Sequence, residues 1–299
     1  SCFLRDAKSA GKRGRNLKKF TVNEKQTLKT FTDNVYPQGS FAFPRLLRAR
    51  DIRVNGKKTG ENILLREGDE VVYYTTLREE SVPAYETIYE DENVLVADKY
   101  AGVNSEALYF ALSQKGETYF IHRLDRNTAG LMIFAKNKRA EAELLRAFRE
   151  RRVQKIYLAL CFGKFAKGVD MLCGYLVKDE KAARVRVYSK PREGAEKIET
   201  EYRVLNGDGE LSMVEIVLHS GKTHQIRAHM AFIGHPVAGD EKYGDEARNK
   251  KYGVKRQLLV AKTLRLQTKG ARAYLNGQSF SSRFVPELKN SCPNAPKML

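Results

Sequence analysis

Several patterns are missing from this 299-residue sequence, and each absence excludes a class of protein. No run approaches 18 apolar residues, so a membrane-spanning helix is excluded. The sequence begins without an apolar segment, so we expect no secretory signal. Its four cysteines lie far apart and form no CxxC pair: Cys2, Cys161, Cys173 and Cys292. Isolated thiols in a reducing cytoplasm are therefore favoured over disulfides or a zinc site.

Nucleotide and metal motifs are also absent. The run GKT at 221–223 resembles the end of a P-loop, but Ile216 occupies the position of the required glycine. The run GDG at 207–209 indicates a hairpin turn between two strands. His224 and His229 are five residues apart, whereas two metal ligands on one helix face are four apart. The sequence therefore predicts no metal and no cofactor.

The charge is strongly one-sided, since 54 Lys and Arg residues face 36 Asp and Glu residues and give a net charge of +18. This excess favours a polyanionic partner, and nucleic acid more than an anionic membrane. No amphipathic helix with exposed large apolar residues is evident, so a membrane partner is set aside. With 42% hydrophobic residues the chain can bury a sizeable core, and its length indicates two domains.

Composition along the chain predicts five segments. Residues 1–20 form a flexible basic arm, either an RNA contact or a solvated tail. Residues 21–76 form a small α/β domain with a basic helix at 43–50 and a hairpin turn at Asn55-Gly56, and residues 77–86 form a linker. A larger α+β domain with a mostly antiparallel sheet follows at 87–285, then a C-terminal tail at 286–299.

The segment IHRLDRNTAG at 121–130 contains the most informative carboxylate, Asp125. If Tyr119–Asp125 is extended, Arg123 and Asp125 share one face of the strand. Neighbouring guanidinium groups would hold the carboxylate ionised, which suits a nucleophile or a base. A structural Asp–Arg pair at a strand end is the alternative, and the residues alone favour it.

Two further segments combine basic, polar and aromatic groups. Tyr157 follows a basic run and could stack on a base, although a half-buried strand tyrosine is commoner. Residues 220–229 place many polar groups directly after a predicted strand, which favours a binding site over a core element.

In order and spacing these segments resemble the RluA type of pseudouridine synthase over about residues 86–270. Residues 122–136 (HRLDRNTAGLMIFAK) match the family's His-Arg-Leu-Asp motif, and Lys155-Ile156-Tyr157 matches its Lys-x-Tyr. Residues 220–227 (SGKTHQIR) and 234–244 match two later motifs. The sequence departs from the family pattern by Ala129 for serine, Lys222 for arginine, Val260 for histidine and Leu266 for phenylalanine.

The resemblance implies a pseudouridine synthase fold, a mixed and mostly antiparallel sheet with a deep catalytic cleft. Asp125 would be the catalytic carboxylate, as nucleophile or as base, and Arg227 would pair with it. Tyr157 would pack against the flipped base and serve in proton removal, and Arg123 would fill the gap left in the RNA. Further residues implied to bind RNA or the base are His122, Arg126, Lys222, Thr223, His224 and Gln225.

The small domain resembles the RNA-binding domain shared by a small-subunit ribosomal protein and some tRNA synthetases. This resemblance implies contacts to the RNA backbone from Arg45, Arg48, Arg53 and Lys57.

We therefore expect a cytoplasmic, cofactor-independent isomerase that converts uridine to pseudouridine in RNA. Its substrate would be large-subunit ribosomal RNA, with tRNA as the second possibility, and its target uridine is not encoded in a recognisable pattern. The alternative is a catalytically silent RNA-binding or ribosome-assembly factor of the same fold. No obligate hydrophobic interface is evident, so a monomer is expected.

Overall fold

The first part of the chain folds around a four-stranded sheet in the computed structural model, which describes residues 15–179, 182–267 and 274–288. In chain order its elements are β1 (Arg15–Thr21), β2 (Gln26–Thr27), α1 (Leu28–Val35), α2 (Pro37–Arg48), β3 (Ile52–Val54), β4 (Lys57–Thr59), β5 (Leu64–Leu65), β6 (Glu70–Thr76) and α3 (Leu77–Glu80). The sheet has the order β1-β6-β3-β4, and β2 pairs with β5. We call residues 15–80 the small module.

Local sequence explains the small module. The Thr27 side chain caps α1, and Pro37 occupies the first turn of α2, where its missing N–H costs nothing. Asn55 and Gly56 both have positive φ, as the predicted hairpin turn between β3 and β4 requires. The predicted helix at 43–50 is the second half of α2, which begins six residues earlier and ends at Arg48.

Two predicted boundaries are wrong. Residues 15–20 belong to β1 and not to a flexible arm, because they pair with β6 and bury Phe20 in the core of the small module. Residues 1–14 lie outside the described residues. The linker predicted at 77–86 begins with α3, which Thr76 and Glu79 hold by a capping box, and it ends inside the next strand.

The second part of the chain folds around an eleven-stranded sheet. Its elements are β7 (Tyr85–Glu90), β8 (Val94–Lys99), α4 (Ser105–Ser113), β9 (Tyr119–Phe120), β10 (Ala129–Ala135), α5 (Lys138–Arg149), β11 (Val153–Phe162), β12 (Val169–Asp179), β13 (Arg184–Tyr188), β14 (Glu196–Gly207), β15 (Leu211–Leu218), α6 (Gln225–Phe232), α7 (Glu246–Lys251), β16 (Leu259–Leu266) and β17 (Ser279–Ser281).

The strand order is β13-β12-β14-β15-β11-β16-β10-β8-β7, with β17 beside β16 and β9 beside β10. Among the described strands, β10 and β16 form the one parallel pair, so the predicted mixed and mostly antiparallel α+β sheet is confirmed. The predicted tail at 286–299 lies outside the described residues from 289 onward. None of the described helices is long and apolar enough to cross a membrane.

Strand β10 is buried on both faces, which makes its entrance a rigid place for a functional turn. Met132 and Phe134 pack in the core that includes α4, whereas Leu131 and Ile133 pack in the core that includes α5. Gly130 pairs with Ala261 of β16, has a φ of 115°, and would place a Cβ only 2.3 Å from the Ala261 carbonyl oxygen. Only glycine fits this crossing, and it fixes the start of β10 against β16.

Candidate active site

A cavity of about 750 Å³ lies where three of the segments singled out from the sequence meet. Its walls come from residues 122–128, from β11 and the chain before it, and from the chain between β15 and α6. Most of the predicted site residues line it: His122, Arg123, Asp125, Tyr157, Lys222, Thr223, His224, Gln225 and Arg227. Arg126 and the residues of the small module do not.

Asp125 lies in the turn before β10, in irregular chain. The expectation of an extended segment over 119–125 is wrong beyond Phe120, because β9 ends there. Two hydrogen bonds join the backbone of Leu124 to the buried Ser105 hydroxyl, at 2.8 and 3.0 Å. The Thr128 amide donates to the Asp125 carbonyl oxygen at 3.0 Å. The turn is thus held on both sides of Asp125, whose side chain faces the cavity.

Arg227 of α6 binds two carboxylates at once. Its Nη1 donates to Asp125 Oδ2 at 2.9 Å, while Nε and Nη2 donate to the two oxygens of Asp240 at 2.6 and 3.0 Å. Burial by itself lowers the pKa of Arg227, but Asp240 and Asp125 outweigh burial and raise it. The guanidinium is therefore a fixed positive charge that orients the Asp125 carboxylate.

Asp240 is a residue of this candidate site that sequence reasoning missed. Its side chain is fully buried, and it also accepts hydrogen bonds from the Lys242 and Tyr243 amides at 2.8 and 3.0 Å. Burial raises its pKa, but the bonds and charge of Arg227 prevail and lower it. The Gly-Asp pair within 234–244 was a signal for this residue in the sequence, but only the structure shows that it contacts Arg227.

His224 and Tyr243 lie beside the chain of ion pairs that joins Asp125, Arg227 and Asp240. His224 has a φ of 55°, and its Nδ1 lies 2.9 Å from the Tyr243 hydroxyl. Its Nε2 is 3.9 Å from Asp125 Oδ2, too far for a hydrogen bond. Burial lowers the pKa of His224 more than the charge of Asp125 raises it. The ring therefore packs beside the carboxylate as a neutral group near pH 7.

Tyr157 of β11 lines the cavity and is almost fully buried. Burial, reinforced by the negative charge of Asp125, raises the pKa of its phenol. The hydroxyl therefore keeps its proton near neutral pH in the free protein. A flat, protonated aromatic group beside a carboxylate suits the stacking of a planar base.

The charged residues of the lining are mostly basic. Among the described residues Asp125 is the single carboxylate that lines the cavity, whereas six Lys and Arg residues do so: Arg123, Arg149, Arg151, Lys155, Lys222 and Arg227. Burial is the cause that lowers the pKa of Lys155, and its ammonium lies 6.0 Å from the centre of the Phe148 ring. This excess of positive charge fits an anionic ligand.

His122 is held in place by contacts within the protein, although the family resemblance implies that it binds RNA or the base. Its ring stacks on Phe148 with centroids 4.7 Å apart, and its Nε2 accepts the Ile133 amide at 3.1 Å. Burial and the charge of Lys155 lower the pKa of His122 to about 3. His122 is thus a neutral ring whose acceptor nitrogen is already used.

Several other predicted RNA contacts bind the protein itself. Arg126 does not line the cavity but pairs with Asp33 of the small module, and its predicted contact with RNA or the base stays a prediction. Gln225 is buried and holds the loop before α6 through the Ser220 hydroxyl, the Lys222 amide and the Thr200 hydroxyl. Gln225 thus positions this loop, and its contact with RNA or the base stays a prediction.

The remaining predicted RNA contacts differ in how exposed their side chains are to solvent. Lys222 pairs with Glu196, and Arg123 pairs with Glu106 at 2.9 Å, but both pairs are solvated and can open. Thr223, Arg48 and Lys57 are exposed, whereas Arg53 stacks on Tyr74. Arg45 pairs with Asp51 and Glu79, and its contact with the RNA backbone stays a prediction.

Comparisons with known proteins identify relatives of this architecture. A family model described as RNA pseudouridylate synthase matches residues 93–232. The ribosomal large subunit pseudouridine synthase C of Vibrio cholerae serotype O1 is 31% identical over 246 residues, 73% of this chain and 77% of that protein. An uncharacterized RNA pseudouridine synthase of Aquifex aeolicus is 34% identical over 252 residues, 74% of this chain and 78% of that protein.

Among solved structures, the human RNA pseudouridylate synthase domain containing 1 is similar to this fold. Its TM-score is 0.59 at 26% sequence identity, and the match covers 70% of this chain and 87% of that chain.

Proposed function

Because the chain belongs to the RNA pseudouridylate synthase family, it is an RNA uridine-to-pseudouridine isomerase, and we propose that it acts on large-subunit ribosomal RNA. The observation that carries the proposal is the 2.9 Å ion pair between Asp125 and Arg227 in a cavity whose other charged lining residues, among those described, are Lys and Arg. A relative named for the ribosomal large subunit supports the choice of RNA. Such a substrate places the proposed reaction in the cytoplasm.

We propose that Asp125 carries the reaction on a uridine flipped out of the RNA. The bond between the sugar C1′ and N1 of uracil breaks, the ring turns, and a bond from C1′ to C5 forms. The proton lost from C5 is balanced by the proton gained at N1, so the product is an isomer and no cofactor enters. Asp125 acts either as the nucleophile or as the base, positioned by Arg227.

Tyr157 is proposed to hold the flipped base by stacking. Since its phenol stays protonated near pH 7, a ready-made phenolate is not available for removing the C5 proton. Proton removal through Tyr157 therefore requires an acceptor supplied during the reaction, which its position beside Asp125 permits. Arg123, held only by a solvated pair, is free to enter the gap in the RNA.

The small module is proposed to bind the RNA backbone through its exposed cations. Arg48 ends α2 and Lys57 begins β4, and both are solvent-exposed. Such contacts add affinity without reading the sequence of the RNA.

The test is pseudouridine mapping after treatment of total RNA from a synthase-deficient bacterium. The native chain should create pseudouridine in large-subunit ribosomal RNA, and Asp125→Asn should create none. Asp170→Asn changes a half-buried aspartate that pairs with Lys167 outside the cavity; it is the matched control and should act like the native chain. Product in tRNA alone would move the substrate to tRNA. Salt-dependent binding without product would favour the silent RNA-binding factor.

A further inference from the structure

The residue that follows Asp125 connects the catalytic turn to the small module. The Arg126 guanidinium pairs with Asp33 of α1, and its Nη2 donates to the Ser40 hydroxyl of α2 at 3.0 Å. Ser40 in turn donates to Asp33, whose carboxylate also binds Lys29. Asp33 is largely buried, so the small module holds a fixed negative site for this one arginine.

The backbone of Arg126 is held as firmly as its side chain. Its carbonyl oxygen accepts from the Gly102 amide at 2.8 Å and from the buried Lys99 ammonium at 3.2 Å. Its Nε donates back to the Gly102 carbonyl oxygen at 3.1 Å. Gly102 thus contacts both the side chain of Arg126 and its carbonyl oxygen, one residue after Asp125.

Apolar and neutral contacts extend the same interface. Phe20 of β1 lies 6.1 Å, centroid to centroid, from Phe110 of α4, and Phe41 of α2 packs beside Gly102. Asn104, at the start of α4, donates to Asn34 of α1 at 3.1 Å. The small module thus rests on the loop and helix that also hold the catalytic turn.

We propose that the small module positions the catalytic carboxylate through Arg126, in addition to any RNA it binds. Arg126 is a positioning residue, since its guanidinium leaves the cavity and acts on Asp125 through the shared peptide. Misplacement of a reacting group by about 1 Å can cost about 100-fold in rate. Undocking of the small module would therefore slow the chemical step itself. This inference rests on the proposed role of Asp125.

The experiment disrupts the contact between Arg126 and Asp33 from the small module, none of whose described residues lines the cavity. Asp33→Asn, Arg126→Gln and the double variant are compared in full-length protein by single-turnover kinetics over a range of RNA concentrations. Each single variant should lower the rate constant at saturating RNA by about 10-fold, within that 100-fold bound. The half-saturating RNA concentration should stay within about twofold, and the double variant should be no slower than either single one.

Two controls separate positioning from general damage. Glu67→Gln removes an exposed carboxylate of the same module away from the interface and should leave the rate unchanged. Arg126→Lys keeps the charge opposite Asp33 and should recover part of the rate. Hydrogen exchange at the Thr128 amide, which bonds the Asp125 carbonyl, should quicken in Asp33→Asn while the melting temperature stays close to native.

Three outcomes would overturn the proposal. A slow Arg126→Gln with a native-like Asp33→Asn would mean that Arg126 contacts RNA directly. A changed RNA concentration dependence with an unchanged rate at saturation would assign the contact to binding alone. Unchanged exchange at Thr128 would show that the turn does not respond to docking. Full activity in Asp125→Asn would instead refute the proposed function, and it is measured separately from the Asp33 series.

Discussion

The two walls of the cavity differ in how their charged side chains are paired. On one wall, which we call the reaction wall, Arg227 joins Asp125 to the buried Asp240 by direct ion pairs. On the other, the cation wall, Arg149, Arg151 and Lys155 form no salt bridge with a carboxylate in the described part of the chain. The carboxylates of the reaction wall are thus paired directly within the protein, whereas no described carboxylate lies within salt-bridge distance of the cation wall.

This difference in ion pairing indicates which interactions the substrate has to supply. Groups that act on the breaking bond gain most when the protein fixes them beforehand, because no reorganisation is then needed during the reaction. Groups that bind phosphate gain most when they have no internal partner to give up. Burial lowers the pKa of Lys155, so a phosphate that pairs with it relieves an unfavourable charge.

The largest expected effect comes from breaking the reaction wall. Arg227→Ala leaves Asp125 and the fully buried Asp240 without their cation. We expect a loss of about 3–5 kcal/mol in the free energy of unfolding, together with loss of activity. Urea unfolding measures the first. Arg146→Ala, which removes an exposed pair with Glu150, is the control and should cost no more than about 0.5 kcal/mol. Equal costs would remove the distinction between buried and solvated pairs.

Acidification should destabilise the folded protein through His122, which lies next to the cation wall. The unfolded chain binds a proton at His122 below pH 6.5, but the folded chain resists it down to about pH 3, because of burial and the neighbouring Lys155. The unfolded state therefore binds more protons in this window, so stability falls as the pH falls. We expect a contribution of up to about 2 kcal/mol between pH 7 and pH 5.

Unfolding curves of the native protein and of His122→Gln at both pH values measure this contribution. The glutamine can still accept the Ile133 amide but cannot take up a proton in this range. Its loss of stability on acidification should be smaller than that of the native protein. Identical pH dependence would mean that His122 is not held neutral by its surroundings.

The smallest effect is expected on RNA affinity, at the edge of the cation wall. Arg149→Ala and Arg151→Gln should each weaken binding uniformly across RNA sequences and reduce the salt slope by about 1. Filter binding at several salt concentrations measures the slope. Arg203→Ala, exposed on β14 outside the cavity, should leave it unchanged. An unchanged slope in the cavity variants would contradict phosphate binding by this wall.

Motif spacing predicted which segments meet, because the four motifs follow one another in the order that this fold uses. Asp125, Tyr157 and Arg227 do lie together, although their catalytic roles remain proposals. The mostly antiparallel sheet of the larger domain was also predicted, and the strand pairing confirms it. The direction of the Arg126 side chain could not be predicted, because Arg126 follows the segment that was expected to be extended and lies in a turn.

The structure shows that two departures from the family pattern lie next to each other. Ala129 and Val260 lie 131 positions apart in sequence, yet they are paired neighbours on β10 and β16 and both are buried. A serine and a histidine of the family pattern are thus replaced together by two apolar residues in one place. Their joint replacement avoids leaving a lone polar group in the core, which either change alone would do.

The most direct test of the contrast between the two walls compares Arg227→Lys with Lys155→Gln under single-turnover conditions. Arg227→Lys should slow the reaction at saturating RNA by about 100-fold or more with unchanged affinity, because lysine cannot bridge both carboxylates with the same geometry. Lys155→Gln should weaken RNA binding by about 10-fold and keep the native rate constant at saturation. The opposite assignment, or a change of both quantities in both variants, would contradict the division of labour.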